Sequence, residues 1–528
     1  MKVRQICMMV LLGLGVIPAM QAQTFDKLWK EVKQAEKKSL PKTVIKLTDE
    51  IYQKGEKERN SAQMLKAYMW RMKTQDILTP DSFYVGLRDL EQWAKQTEQP
   101  MDRAILHSLI AEFYANYAAD NQWQLRQRTE IVGETPSADI REWTANMFVE
   151  KVRTNVKEAL ADSLLLLKTS SLNYIPFVEL GETSEYYHHD MYHLLASRAI
   201  RALNQIERLE RGSFNGITAS PVKQDISNIY ERMTDAYETA GLKEGYVLTM
   251  LQYLEWKRGN DNKLQPVQLK KGLGEWTADT YNAALDELKR QFKSEPICAE
   301  VYLAQVRYAV EKMQQVNALQ LCDEAIRLYP GYRRINALKN LREEILAPFL
   351  NVSAVSQAFP NEEIKLNVGH KNLDGFTVRL YQAKKLVKEQ HYSVLRPKDY
   401  RAKDTVFTFK APDLGTYVMR IIPDIRAKRD SESKFNVTRF KVLTCRLPEN
   451  QYEVVTLDGQ TGHPIPNAKV TLYSSDEKVL QEFTTDKEGK VVFLRNTKYR
   501  YLKASKGTDT AMPKQGIYGG SYGYYGNK

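Results

Sequence analysis

The chain has 528 residues, 43% of them hydrophobic, which is more than one packed core needs and excludes a disordered tail. Its formal charge of +12 comes from 77 basic and 65 acidic residues spread along the whole length. With no basic stripe interleaved with aromatic residues, that excess reads as solvated helix faces and not as a nucleic-acid surface.

The first residues decide the expected compartment. Lys2 and Arg4 form a positive segment, Ile6 to Ile17 an apolar one, and Pro18 to Ala22 leads to a cleavage point after Ala22. Residues 1–22 therefore read as a signal peptide, and the protein as exported to the periplasm or cell envelope. No later apolar run reaches 18 residues, so no transmembrane segment is expected. Cys7 comes too early to be a lipidated cysteine. The remaining Cys298, Cys322 and Cys445 are too few for a disulfide framework. Cys298 and Cys322 fall on neighbouring expected helices and could pair, but the apolar setting of Cys322 favours free thiols.

Residues 23–347 read as helical by period. Leu28, Trp29, Val32 and Ala35 mark one face, and Met64, Leu65, Tyr68 and Met72 another. Leu40-Pro41, Gln99-Pro100 and Gly241 break the segments at helix length. Near the end, Ala284, Leu285, Phe292 and Pro296 recur 34 residues on as Ala318, Leu319, Ile326 and Pro330. That is the tetratricopeptide period, and it predicts a solenoid of helix pairs with a concave binding surface. Leu303, Val306, Val310 and Met313 form one expected stripe; Leu319, Cys322, Ile326 and Tyr329 form the next.

After Pro348 the period drops to two. Ile364, Leu366 and Val368 alternate with polar residues, as do Phe376, Val378 and Leu380, then Phe407 and Phe409, then Tyr417, Met419 and Ile421. Turn residues at Phe359-Pro360-Asn361, Leu373-Asp374-Gly375 and Ala411 to Gly415 separate them, which predicts a β-sandwich over residues 348–447. A second, incomplete β-domain is expected over 448–512. In it, Gly462 gives a turn, Pro464 and Pro466 precede a strand, and Ala468, Val470 and Leu472 share its buried face. A second strand carries Val479 and Phe483, and Thr485 to Gly489 leads as a hairpin turn into Val491 and Phe493. Residues 513–528 form a Gly/Tyr-rich tail of low complexity.

Three patterns bear on catalysis. Gly519-Gly520-Ser521-Tyr522-Gly523 has the nucleophile-elbow spacing but no later His. His189 and His193, with Asp190 between them, resemble a zinc-binding pair at i and i+4 on a helix. Against that reading, both imidazoles lie beside the apolar stripe Tyr192, Leu195, Ala199, Ala202 and Ile206, and no third ligand is identifiable. None of the cysteines has a thiolate-stabilising motif. The sequence thus predicts no enzyme, no catalytic residue, no cofactor and no metal.

Three segments carry a family likeness: Thr24 to Val32 (TFDKLWKEV), Glu185 to Leu195 (EYYHHDMYHLL) and Thr461 to Val470 (TGHPIPNAKV). Through them the chain resembles the amino-terminal portion of the bacterial alpha-2-macroglobulin family, in the form found in Bacteroides-like bacteria. The resemblance implies an α plus β multidomain fold, with a helical front followed by one or two macroglobulin-like or immunoglobulin-like β-sandwiches. It also implies an endopeptidase inhibitor that is cut in a bait region and then encloses the protease. The family's thioester motif, C-x-E-Q, fits none of Cys298, Cys322 or Cys445, so the chain reads as a truncated relative without covalent trapping. Its expected partners are proteases or other proteins. The alternative is a periplasmic tetratricopeptide scaffold that binds peptide or protein partners.

Overall fold

Proline and capping residues punctuate the front half. Leu40 and Gln99 stand just before helices that begin at Pro41 and Pro100, where the missing N–H of proline costs nothing. The structure, a computed structural model, describes residues 17–79, 82–128, 137–181, 189–210, 220–260, 280–354, 356–425 and 431–513. The signal peptide lies largely outside these residues, as do Glu185 to His188 and the tail from Lys514.

The helices run α1 (Ile17–Lys37), α2 (Pro41–Lys57), α3 (Ser61–Leu78), α4 (Ser82–Gln96), α5 (Pro100–Asp120), α6 (Gln122–Gln127), α7 (Ala145–Ala159), α8 (Ser163–Lys168), α9 (Met191–Glu207), α10 (Pro221–Thr239), α11 (Lys243–Asn260), α12 (Thr280–Phe292), α13 (Cys298–Glu311), α14 (Gln315–Leu328) and α15 (Ile335–Leu346). Two compact units emerge, one of residues 1–304 and 331–334, the other of 305–330 and 335–528.

In the first unit, helices pack as neighbours in sequence. Phe25, Trp29, Val32 and Ala35 of α1 form one apolar cluster with Val44 and Ile51 of α2 and Ala67 of α3. The Trp29 indole is satisfied there by Gln63, at 2.7 Å. α5 is apolar on most of its circumference and packs against α4, α7 and α9, as a central helix must. The stripe Tyr192, Leu195, Ala199, Ala202 and Ile206 is buried throughout. Of the stripes in the 34-residue repeat, Leu303, Val306, Cys322 and Tyr329 are buried, but Met313 is not. It lies beyond the end of α13 at φ +57 and is 52% exposed, because the helix has already stopped at Glu311.

The second unit holds α14, α15 and all the strands. The last carbonyls of α15, which no helix bond can satisfy, are met by the β-domain: Asn372 Nδ2 donates to the Ile345 carbonyl at 2.8 Å and Lys371 Nζ to that of Glu344 at 2.9 Å. The strands are β1 (Phe349–Ser353), β2 (Gln357–Ala358), β3 (Glu363–Lys371), β4 (Gly375–Gln382), β5 (Lys385–Ser393), β6 (Lys403–Lys410), β7 (Gly415–Pro423), β8 (Ser431–Val437), β9 (Phe440–Leu447), β10 (Gln451–Asp458), β11 (Lys469–Tyr473), β12 (Val479–Thr484), β13 (Lys490–Leu494), β14 (Tyr501–Lys506) and β15 (Asp509–Ala511).

The first sandwich pairs a β1-β3-β6 sheet with a β2-β8-β7-β4-β5 sheet. The alternating residues of β3, β4 and β7 fill its core, where Phe376, Phe409 and Phe435 are at most 1% exposed. Burial of each such ring contributes about 2–3 kcal/mol.

Three expectations are corrected here. The strand ending at Leu447 does not close the first sandwich. It is β9, and it pairs over its full length with β10, from Phe440↔Asp458 to Leu447↔Gln451. The second β-domain is not an incomplete piece over 448–512; it takes in β9, and its sheets β13-β10-β9 and β12-β11-β14-β15 enclose a common core with Val454, Val470, Leu472 and Leu502 at 0% exposure. Nor do β12 and β13 form a hairpin. β12 pairs with β11 and β13 with β10, so Thr485 to Gly489 carries the chain from one sheet to the other. Gly489, at φ +72, makes that crossing possible, since a Cβ there would stand 2.5 Å from the Thr456 carbonyl.

Candidate functional site

The histidine pair was expected to pack beside an apolar stripe and not to hold a metal, and the local structure sets its geometry. Aspartate before an apolar helical run is a strong N-cap. Asp190 takes that role with extended backbone (φ −86, ψ 156), its carboxylate accepting the His193 N–H at 2.6 Å. α9 therefore starts at Met191, and His189 lies outside it, its carbonyl accepting from the Ser171 N–H at 2.7 Å. The two imidazoles do not share a helix face at i and i+4, which corrects the expected geometry. Asp190 is 5% exposed and also accepts the Tyr237 hydroxyl at 2.9 Å. Burial first, and then the Asp190 charge, push the Tyr237 phenol far above its ordinary range. The carboxylate thus joins α9 to α10 and is not aimed at a metal. Among the described residues no three His, Cys, Asp or Glu side chains stand together as metal ligands. His189 and His193 do line a cavity of about 390 Å³, with Ser197, Arg201 and Gln252.

Among the described residues, Cys298, Cys322 and Cys445 form no disulfide; the first two are buried and Cys445 is exposed. Burial, with Asp323 adding to it, pushes the Cys322 thiol up to about 11, the opposite of what a nucleophile needs. The Gly519 to Gly523 motif lies outside the described residues.

A more developed site lies where the two sandwiches meet. Only Thr438 and Arg439 separate β8 from β9. Asp509, at the start of β15, accepts from the Thr438 hydroxyl and from the Arg439 N–H at 3.0 Å. Asn436 Nδ2 donates to the Thr510 carbonyl at 2.5 Å, and Gln357 Nε2 to the Phe440 carbonyl at 3.0 Å. Phe359, from the loop after β2, presses its ring against Gly459 beyond β10, where any Cβ would come within 2.1 Å of it. These contacts hold the joint in one geometry and frame a groove of about 510 Å³. One wall is the run Phe440 to Thr444 of β9; Phe359, Met512 and Pro513 supply apolar ends. Neither Asp509 nor the Phe359–Gly459 contact stands out in the sequence, for the partners lie about 70 and 100 residues apart. The turn at Phe359-Pro360-Asn361 was the one visible signal.

No protein-family model and no curated protein matches the chain. Among solved structures it is distantly similar to domains of bacterial alpha-2-macroglobulin. A fragment of the Escherichia coli protein spanning domains MG0-NIE-MG1 matches at 16% identity and TM-score 0.27, over 31% of this chain and 63% of that one. A shorter fragment, NIE-MG1, matches at 15% identity and TM-score 0.26, over 32% of this chain and 96% of that one. A pair of fibronectin type-III domains from chicken tenascin matches at 12% identity and TM-score 0.15, over 31% and 94%. The chain thus spans less than two thirds of the longer Escherichia coli fragment.

Proposed function

We infer that the chain is the amino-terminal portion of an exported alpha-2-macroglobulin-like protein that binds proteins and does no chemistry of its own. The observation that carries this reading is the order of parts: a helical front, then two β-sandwiches joined through Asp509 and the Phe359–Gly459 contact, with a groove at the joint. The sequence resemblance at Thr24 to Val32, Glu185 to Leu195 and Thr461 to Val470 supports it, and so does the way His193, Asp190 and Cys322 are spent on packing and capping. C-x-E-Q is absent from these 528 residues, so they carry no covalent trap of their own.

The test is an assay of endopeptidases against a large protein substrate and a small peptide substrate, with and without the 528-residue protein. Loss of cleavage of the large substrate, with the small one still cut, is the expected result for enclosure. Unchanged cleavage of both would confine inhibition to a longer relative and leave a scaffold role. The scaffold reading draws on the 390 Å³ cavity of the helical unit, beside the exposed Leu180.

A further inference from the structure

We propose that the outer edge of β9 binds an extended, acidic peptide segment of a partner by adding it to the sheet as a further strand. The inference does not rest on protease inhibition; it follows from which way the backbone of β9 points.

In an antiparallel strand successive residues turn their N–H and C=O groups to opposite sides. Three bonds fix the phase. Gly459 N–H donates to the Arg439 carbonyl at 2.7 Å, so the hydrogen-bonded partners of β10 and β9 are the odd-numbered ones, among them Leu457 with Lys441 and Val455 with Leu443. On the far side of β10, Thr456 N–H donates to the Gly489 carbonyl at 2.8 Å, and the Asn450 carbonyl accepts from Arg495 N–H at 2.8 Å, both even-numbered and both toward β13. The even-numbered residues of β9 therefore face away from the sheet. β9 is its edge strand.

The first of those residues is already satisfied from within: Phe440 N–H donates to the Thr438 hydroxyl at 3.0 Å and its carbonyl accepts from Gln357. Val442 and Thr444 come next, and their backbone groups open onto the groove that β9 lines. Two residues in that relation repeat about every 6.8 Å, the spacing of an incoming strand. Natural sheets blunt such edges with bulges, prolines or covering loops. The register of β9 on β10 runs without interruption, and it holds no proline.

Charge selects the occupant. Glu362, on the wall opposite β9, keeps its charge but is tied to its own loop by the Phe359 N–H at 2.7 Å, so it disfavours acidic side chains only on the face toward Phe359. Lys441 is exposed and, among the described residues, makes no ion pair. An added strand would place every second side chain beside Lys441 and Leu443 and the others toward Phe359 and Met512. Alternating acidic and apolar residues fit that wall, and strand addition draws its affinity from the backbone bonds.

The probe is a fluorescein-labelled decapeptide of alternating valine and glutamate, titrated against the full chain by fluorescence polarisation. The expected dissociation constant is on the order of 10–100 µM. Methylation of the valine nitrogens and methylation of the glutamate nitrogens should differ, the set that faces β9 weakening binding at least about tenfold and the other leaving it intact; replacement of glutamate by lysine should weaken it by a similar factor. Lys441→Glu should reverse the charge preference, and Thr444→Pro, which removes an edge N–H, should abolish binding. Should Thr444→Pro not fold, the exposed Lys441→Glu carries the test. Hydrogen exchange at Val442 and Thr444 should slow only when peptide is added. Absence of binding up to about 1 mM, equal binding of both N-methylated peptides, or protection of both amides before peptide is added, whether by the chain itself or by a second copy at high concentration, would overturn the proposal.

Discussion

The ring of Phe359 occupies the space that a side chain at Gly459 would need, with only 2.1 Å between the ring and the position of an added Cβ. A residue of the first sandwich thus dictates a glycine in the second. Gly459→Ala should cost about 1–3 kcal/mol, because neither the aromatic ring nor the nearby Arg439 carbonyl can withdraw freely. Urea unfolding checks this. Phe359→Ala combined with Gly459→Ala should recover part of the loss, and a strictly additive double variant would refute the contact.

Asp190→Ala removes the cap of α9 and strands the Tyr237 hydroxyl together. The expected loss is about 2–4 kcal/mol, while Asp190→Asn, which can still cap, should lose less. Calorimetric titration with zinc should find no stoichiometric site that His189→Ala or His193→Ala removes. A site abolished by both would restore the metal reading.

Tyr237 and His370 should lower stability at opposite ends of the pH scale. Tyr237 has its folded-state value raised by burial and by Asp190, so above about pH 10 the unfolded chain releases its proton while the folded one holds it. Its contribution is full below that point and is lost as pH climbs further; Tyr237→Phe should flatten the alkaline fall in stability measured by urea unfolding. His370, 2% exposed, is shifted down by burial and by Lys403. Below about pH 6.5 the unfolded chain gains a proton that the folded one resists, so stability of the β unit should fall there, and less in His370→Gln.

Among the three described thiols, Cys445 should react with a disulfide reagent at neutral pH within the mixing time. Cys298 and Cys322 should follow only on unfolding, since both are at 0% exposure and burial holds Cys322 protonated. Rapid modification of all three in native buffer would contradict the buried placement.

Much of the β-architecture was legible because alternation is local: Ile364, Leu366 and Val368, or Ala468, Val470 and Leu472, announce their buried faces within five residues. What failed was pairing. β9 alternates only over Phe440 to Leu443, and its partner is chosen by contacts with β10 that lie beyond a turn, so the domain border could not be placed. β5 escaped notice because an edge strand that is mostly exposed has no apolar face to show. The histidine pair is ambiguous in the sequence for a related reason. Asp190 ahead of an apolar run is both a metal-motif letter and an N-cap, and the buried Tyr237 decides for the second.

The two residues between β8 and β9 also bear on how this molecule can be taken to pieces. A shortened chain ending at Leu447 would carry β9 away from its partner, and its complement would begin with β10 bare along one side. Each half would then present a raw strand to its neighbours. Clumping of such halves would reflect where the scissors fell, and a cut between Thr438 and Arg439 would spare the ladder but sever the grip of Asp509.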